Sequence, residues 1–414
     1  MSVQNYSHSS TLVELSIVMP CLNEARTLAI CINKAQEFLR RAQIEGEVIV
    51  ADNGSTDGSQ TIAESLGARL IAVPVRGYGA ALKAGIDAAQ GKFVIMGDSD
   101  DTYDFSALDP FVEQLREGHD VVLGNRFRGG IRDGAMPPLH RYFGNPLLTL
   151  LARIFFEVPS GDVYCGLRGF TKEAYIRMQL RSNGMEFALE MIVKATLMKL
   201  RITEVPTTLS PDTRGREPHL RSWRDGRRSL RLYLFCSPRW LFLLPGILFM
   251  LVGLVSGTLL LLGPIQLPGL AFDIHTLACS AAAILIGFQA LCFFAFAKML
   301  ALGQGLIPPD PGFKRFITAF RIEYGLAAGG ALFLIGIAAA LYAVHLWGRE
   351  DFGDLDPFTM MRLIIPSALA LTLGVQIGLS SLFLSLLKSY WRQSIMLAGE
   401  LDRPLVGTVE PHPQ

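Results

Sequence analysis

The sequence predicts an α/β domain on a mainly parallel sheet with helices on both faces, followed by basic juxtamembrane helices and four membrane-spanning helices. Three observations predict it. Five short apolar runs before residue 125 alternate with helix-like segments, three of them end in polar motifs, and four long stretches within 241–390 are almost free of charge. A chain of 414 residues, 50% hydrophobic and 18% charged, is too long for one ordinary soluble domain and too apolar to be wholly water-exposed. The formal net charge of +1 decides little, because local basic clusters act on membranes and phosphates and the sum does not.

Residues 1–11 are polar and Ser-rich without an apolar core, so no signal peptide is expected. The apolar runs at 15–19, 48–51, 69–73, 93–96 and 121–123 have the pattern of parallel strands joined by crossover helices. Such sheets bind ligands beyond their strand carboxyl ends. Polar motifs stand there: Pro20-Cys21-Leu22-Asn23-Glu24 after the first run, Asp52-Asn53-Gly54-Ser55-Thr56-Asp57-Gly58 after the second, and Gly97-Asp98-Ser99-Asp100-Asp101 after the fourth. Taken singly, the second motif also reads as a turn into a capped helix and the third as a solvated loop. Alternate carboxylates at a strand end, however, reach one divalent cation, and that cation can bridge a diphosphate. No GxGxxG fingerprint follows the first run, and Gly77-Tyr78-Gly79 lies after the third, which argues against a dinucleotide dehydrogenase.

Residues 241–263, 276–297, 325–346 and 364–387 each approach the roughly 20 apolar residues that cross a bilayer. Ahead of the first stand Arg214, Arg216, Arg221, Arg224, Arg227, Arg228, Arg231 and Arg239; the second loop adds Lys298, Lys314, Arg315 and Arg321, and the tail Lys388 and Arg392. Residues 264–275 hold no Lys or Arg, and the loop after Trp347 carries Glu350, Asp351, Asp354 and Asp356 against Arg349 and Arg362. By the positive-inside rule both termini and the first domain are cytosolic, in the inner membrane if the source is bacterial. Lys298 is expected to snorkel to the interface. The six cysteines follow no metal-ligand spacing and read as reduced packing thiols. The leucine-rich segment 145–158 fits both a membrane surface and core packing, and core is the reading taken.

Together the segments 18–24, 50–58, 76–91, 97–100, Gly124-Asn125-Arg126 and Asp162-Val163-Tyr164-Cys165-Gly166-Leu167-Arg168 resemble the glycosyltransferase family 2 GT-A domain. The likeness is closer to its dolichyl-phosphate mannose synthase and polyprenyl-phosphate glucosyltransferase branch, and runs over about residues 15–240. The resemblance implies transfer of a hexose, with inversion, from a nucleotide-diphosphate sugar (UDP-glucose or GDP-mannose) to a polyprenyl phosphate. By it, Pro20, Leu22, Glu24, Val50 and Asp52 line the base and ribose site, and Ser99, Arg168, Arg214 and Arg216 join the donor contacts. Asp98 and Asp100 bind Mg²⁺ or Mn²⁺ on the diphosphate, Arg126 and Arg141 meet the acceptor phosphate, and Glu190 matches a position near the active site, a structural carboxylate being the equal alternative. A phosphate nucleophile is already ionised, so no general base is needed and His119, His140 and His219 read as surface or structural. Two positions depart from the family pattern: Asn53 replaces a second Asp, and Thr102 stands where relatives often place a Gln.

The expected layout is 1–14 flexible, 15–210 transferase, 211–240 basic juxtamembrane segment, 241–390 membrane helices and 391–414 tail. Membrane lipid and a second copy of the chain are further expected partners, and nucleic acid is not. A processive polysaccharide synthase would carry Gln-x-x-Arg-Trp; here Arg239-Trp240 is present but Cys236 holds the Gln position. A non-catalytic membrane partner with a degenerate domain would be expected to lose the carboxylates that this chain keeps.

Overall fold

A computed structural model describes residues 13–213 and 222–401, without the side chains of 222, 223, 225 and 391–401. The chain divides into two compact units between Tyr233 and Leu234.

The first unit is a seven-stranded mixed sheet: β1 (Leu15–Cys21), β2 (Gly46–Asp52), β3 (Arg69–Ala72), β4 (Phe93–Met96), β5 (Val121–Asn125), β6 (Arg168–Thr171) and β7 (Ile202–Pro206), in the order β3-β2-β1-β4-β6-β5-β7. All five expected strands form, and β6 and β7 are added. β6 runs antiparallel to both β4 and β5, while the other pairings are parallel. The order turns back at β1, where β2 lies on one side and β4 on the other, so the loops after these three strands emerge side by side.

Crossover helices follow the strands: α1 (Leu28–Arg41), α2 (Ser59–Ser65), α3 (Tyr78–Ala88), α4 (Asp109–Arg116) and the short α5 (Arg126–Gly129). α1 shows the logic. Leu28, Cys31, Ile32, Ala35, Phe38 and Leu39 recur at helical spacing, and all are buried in one core with Leu15, Ile17 and Met19 of β1. A π-helical turn at His140–Gly144 leads into α6 (Asn145–Phe156), and α7 (Lys172–Met178), α8 (Phe187–Leu197) and α9 (Ser222–Cys236) follow. Glu190 of α8 accepts the main-chain amides of Arg181 and Ser182 and pairs with buried Lys194 at 2.8 Å. It is a structural carboxylate.

The stripe in 145–158 departs from the core reading. Leu147, Leu150 and Ile154 are exposed, as are Leu139, Tyr142 and Phe143 just before them, whereas Thr149, Ala152 and Phe156 are buried. Leu147, Leu150 and Ile154 recur at three- and four-residue spacing, so they share a face of the helix other than the one that buries Thr149, Ala152 and Phe156.

The second unit holds α10 (Leu244–Leu262), a small hairpin of β8 (Ile265–Leu267) and β9 (Leu270–Phe272), α11 (Ile274–Gly303), α12 (Pro311–Ala319), α13 (Ile322–Arg349) and α14 (Pro357–Leu401). Among the described residues four helical spans, Arg239–Leu262, Ile274–Gly303, Ile322–Arg349 and Pro357–Tyr390, are long and apolar enough to cross a membrane. They pack as hairpins through small residues: a Cβ on Gly329 of α13 would lie 2.7 Å from the Gly374 carbonyl oxygen of α14. Ser256 and Ser280 hydrogen-bond between α10 and α11 at 2.7 Å. Lys298 goes beyond simple snorkelling, since it pairs with Asp310, the N-cap of α12, at 2.6 Å and lies over the rings of Phe294 and Phe313.

Candidate functional site

Three loops at the carboxyl ends of β1, β2 and β4 are stitched together by side-chain hydrogen bonds. Asn23 and Glu24 donate their main-chain amides to the hydroxyls of Ser55 and Ser59, and Ala25 donates to Asp57, joining the first loop to the second. Ser99 donates to the Pro20 carbonyl at 2.7 Å, and Thr27 donates to the Ser99 carbonyl at 2.8 Å, joining the third loop to the first. Motifs separate in sequence thus become one surface.

Asp52, 2% exposed, accepts the amides of Gly54 and Ser55 and the Gln60 side chain. It therefore shapes its loop, whose glycines 54 and 58 take left-handed φ values of +94° and +91°. Asn53 engages both ends of its side-chain amide locally: the nitrogen donates to the carbonyls of Val73 (3.2 Å) and Val75 (2.8 Å), and the oxygen accepts from Gly77 N–H (2.6 Å). Pro20 and Leu22 are half-buried at the loop mouth and Glu24 is buried beneath it. Val50 departs from expectation. It is fully enclosed in the core with β1 and α1, because β2 is covered on both faces, so its side chain lines no ligand site.

Asp98 and Asp100 are both half-buried in the loop after β4. Tyr78 stands at the start of α3, close enough to feel the Asp98 charge. Burial, and then the adjacent Asp98 charge, hold the Tyr78 phenol well above its ordinary pKa, so it remains a neutral donor. Asp98 Oδ2 also lies 2.6 Å from where a Cβ on Gly166 would stand, so any side chain at that point of the 162–168 loop would displace the Asp98 carboxylate. Asp100 Oδ1 accepts from both the amide (3.1 Å) and the hydroxyl (2.6 Å) of Thr102. The next acid, Asp101, turns at φ +58° and pairs with Lys34 at 2.7 Å. Two oxygen donors at this spacing suit a hard divalent cation such as Mg²⁺ or Mn²⁺. Among the described residues no group of three or more His, Cys, Asp or Glu side chains forms a self-sufficient metal site. The remaining ligands must come from a bound phosphate or water.

The basic residues divide. Arg126, 8% exposed, forms a two-pronged pair with fully buried Asp162 (2.7 and 2.8 Å), and its main-chain N–H donates to the same carboxylate. The forked edge expected to meet an acceptor phosphate is thus engaged by Asp162. Its charge still reaches outward: burial first, and Arg126 second, lower the pKa of His140 on the neighbouring π-helical turn. Arg141, half-buried on that turn, lies over the ring of Tyr142. Arg168 departs furthest. At 0% exposure it donates to the carbonyls of Cys165 (2.9 Å), Val163 (2.7 Å) and Ala188, so it braces the 162–168 loop from inside and does not reach a donor. Arg214 and Arg216 lie outside the described residues.

Sequence reasoning quotes Tyr78 and Asp162 within motifs but gives neither a role, and passes over Glu204. Glu204 of β7 accepts from Asn125, Ser160 and Gly161 and fixes the segment before the Asp162 motif. Only the Gly-Tyr-Gly flanks of Tyr78 carried a local signal; the other two act through partners remote in sequence.

Residues 16–178 match the family model described as glycosyl transferase family 2, and residues 295–388 match the glycosyltransferase family 2 C-terminal transmembrane region. The low-salt glycan biosynthesis hexosyltransferase Agl6 of Haloferax volcanii is 36% identical over 374 residues, 90% of this chain and 88% of that protein. A dolichyl-phosphate hexose transferase of the same organism is 30% identical over 196 residues, 47% of this chain and 82% of that protein. A solved structure of glucosyl-3-phosphoglycerate synthase from Mycobacterium tuberculosis, in complex with Mn²⁺, UDP-glucose and phosphoglyceric acid, is 24% identical, covers 54% of this chain and 79% of that chain, and has a TM-score of 0.43. With a full-length relative at that identity and family matches in both units, this chain is a membrane protein and an enzyme of glycosyltransferase family 2 acting on a nucleotide sugar.

Proposed function

We propose that this enzyme moves a hexose from a UDP- or GDP-sugar onto a polyprenyl phosphate at the cytosolic membrane face, with inversion and with a divalent cation at Asp98 and Asp100. One observation carries the reading: three strand-end loops converge on two half-buried carboxylates in a chain that also carries four candidate spans. The name of the similar Haloferax dolichyl-phosphate hexose transferase supports the lipid-phosphate acceptor.

The acceptor phosphate oxygen attacks the anomeric carbon while the bond from that carbon to the donor diphosphate breaks, and the electron pair leaves on the diphosphate oxygen. Being ionised already, the phosphate gives up no proton, so no base is required. When bound, the cation offsets the charge that grows on the departing diphosphate. Pro20, Leu22, Glu24, Asp52 and Ser99 form the donor cradle, with Asp52 holding the loop in shape. Arg141 is assigned the acceptor phosphate, and Arg126, paired with buried Asp162, holds the start of the 162–168 loop. Val50 and Arg168 act from the interior. Arg214 and Arg216 are assigned to the donor diphosphate.

Purified enzyme incubated with polyprenyl phosphate and a panel of UDP- and GDP-sugars, with and without EDTA, tests this. Transfer to lipid from one donor, abolished by EDTA and by Asp98→Asn or Asp100→Asn, is expected. Transfer only to water or to a growing glycan would overturn it.

A further inference from the structure

The second unit carries one short helix that is not itself a span. Residues 304–321 join the end of α11 to the start of α13, both candidate spans, so α12 within them belongs at one surface of the membrane. Its faces suit that place. Phe313 and Ile317, four residues apart, are buried in one cluster with Phe296 and Met299 of α11 and Leu384 of α14. On the other face Lys314, Arg315 and Thr318 are exposed, and with Pro311 and Ala319 they line a groove of about 440 Å³. Exposed Phe316 adds an aromatic ring beside Arg315.

Both ends of α12 are pinned. The N-cap Asp310 accepts the Phe313 amide at 3.0 Å and pairs with Lys298 at 2.6 Å, and Lys388 of α14 donates to the carbonyls of Thr318 (3.3 Å) and Phe320 (2.9 Å) at the far end. Lys298 and Lys388 are thus turned toward the protein. Asp310 is the only acid in residues 304–321 and is already taken by Lys298; among the described residues no carboxylate pairs with Lys314 or Arg315. Two adjacent cations therefore stand on a rigidly held helix without a counter-ion.

We infer that the exposed face of α12 is a docking surface for the headgroup of an anionic phospholipid, with the lipid phosphate against Lys314 and Arg315. Charge complementarity selects this occupant, because a basic amphipathic helix at a bilayer surface meets phosphate headgroups before any other anion. The forked guanidinium of Arg315 suits a phosphate, and Lys314 adds a point charge. The inference needs the spans and not the acceptor proposed above, so the two fail separately.

The test uses the full chain in vesicles of phosphatidylglycerol and phosphatidylcholine in equal amounts with identical acyl chains. A photocrosslinking p-benzoylphenylalanine in place of Ala319 reports the lipids at the groove, and the ratio of phosphatidylglycerol to phosphatidylcholine adducts on that segment is read by mass spectrometry. The ratio should stand well above one and fall at high salt. Lys314→Gln and Arg315→Gln should each lower it about fivefold, and together by tenfold or more, with the melting temperature unchanged because both side chains are exposed. Lys314→Arg, which keeps the charge, should leave it as in the parent. A ratio near one in the parent, or a double variant within twofold of the parent, overturns the inference. Polyprenyl phosphate added as a minor component gives the second arm: if it alone is enriched at the groove relative to its share of the lipid, the occupant is a phosphomonoester and the phospholipid assignment is wrong.

Discussion

Asn53 illustrates how one atom type decides a loop. Its two donated hydrogens face the carbonyl oxygens of Val73 and Val75, and its own oxygen faces the Gly77 amide. A carboxylate supplies acceptors only, so at this position it would turn negative charge onto two carbonyls in a buried setting. Restoring the family's usual acid by Asn53→Asp should therefore harm this chain, lowering stability by about 1–3 kcal/mol and weakening donor binding, because the displaced segment leads directly into Gly77 and Tyr78. Thermal melts and nucleotide titration of that variant check this; a variant equal to the parent in both would refute it. Arg168 makes the complementary point. Sequence placed it at the donor on family resemblance, but nothing local to Arg168-Gly169-Phe170-Thr171 says that the strand will be sealed on both faces with the guanidinium inside.

At the scale of elements, α6 carries the clearest unpartnered surface of the first unit. Leu139, Phe143, Leu147, Leu150 and Ile154 are separated by four, four, three and four residues, and all five are exposed. That spacing puts them along one face. The opposite face is anchored: Tyr233 of α9, fully buried, donates to the Leu148 carbonyl at 3.1 Å and packs against Phe155 and Phe156. A rigidly held apolar face is an aggregation liability in water, yet suits an interface where acyl or prenyl chains are present. Replacing Leu147, Leu150 and Ile154 with Ser should leave the unit folded and nucleotide binding intact, because none of the three is in the core. Turnover with long-chain polyprenyl phosphate in vesicles should fall by roughly tenfold or more, while a short-chain soluble acceptor is spared. Equal loss with both acceptors would show that the stripe serves the fold and not the lipid.

For the whole molecule, legibility followed the range of the signal. The first five strands and the four spans announced themselves in contiguous apolar runs, and the three polar motifs in their register at strand ends. β6 did not, because an arginine and a glycine occupy a four-residue buried strand whose pairing with β4 and β5 is set by remote partners. The Arg126–Asp162 pair, 36 residues apart, was hidden for the same reason. Orientation rests on charge counting, and the ion pairs sharpen it. Arg362 is engaged by Asp273 and the Leu260 carbonyl, tying the start of α14 to the turn between α10 and α11. Lys298 is paired with Asp310, whereas Lys314 and Arg315 of α12 are exposed and unscreened charges that count toward the inside in the positive-inside rule. The acidic stretch Glu350, Asp351, Asp354 and Asp356 has only Arg349 beside it. Residues 350–361 also hold no Lys or Arg, and it is that lack which marks the stretch for transfer under the positive-inside rule. A single cysteine at Asp354, in a chain whose six native cysteines are replaced, should therefore react with a membrane-impermeant maleimide in intact cells. One at Arg315 should react only after permeabilisation, and the reverse pattern would turn the catalytic unit to the other face and remove its access to cytosolic nucleotide sugars.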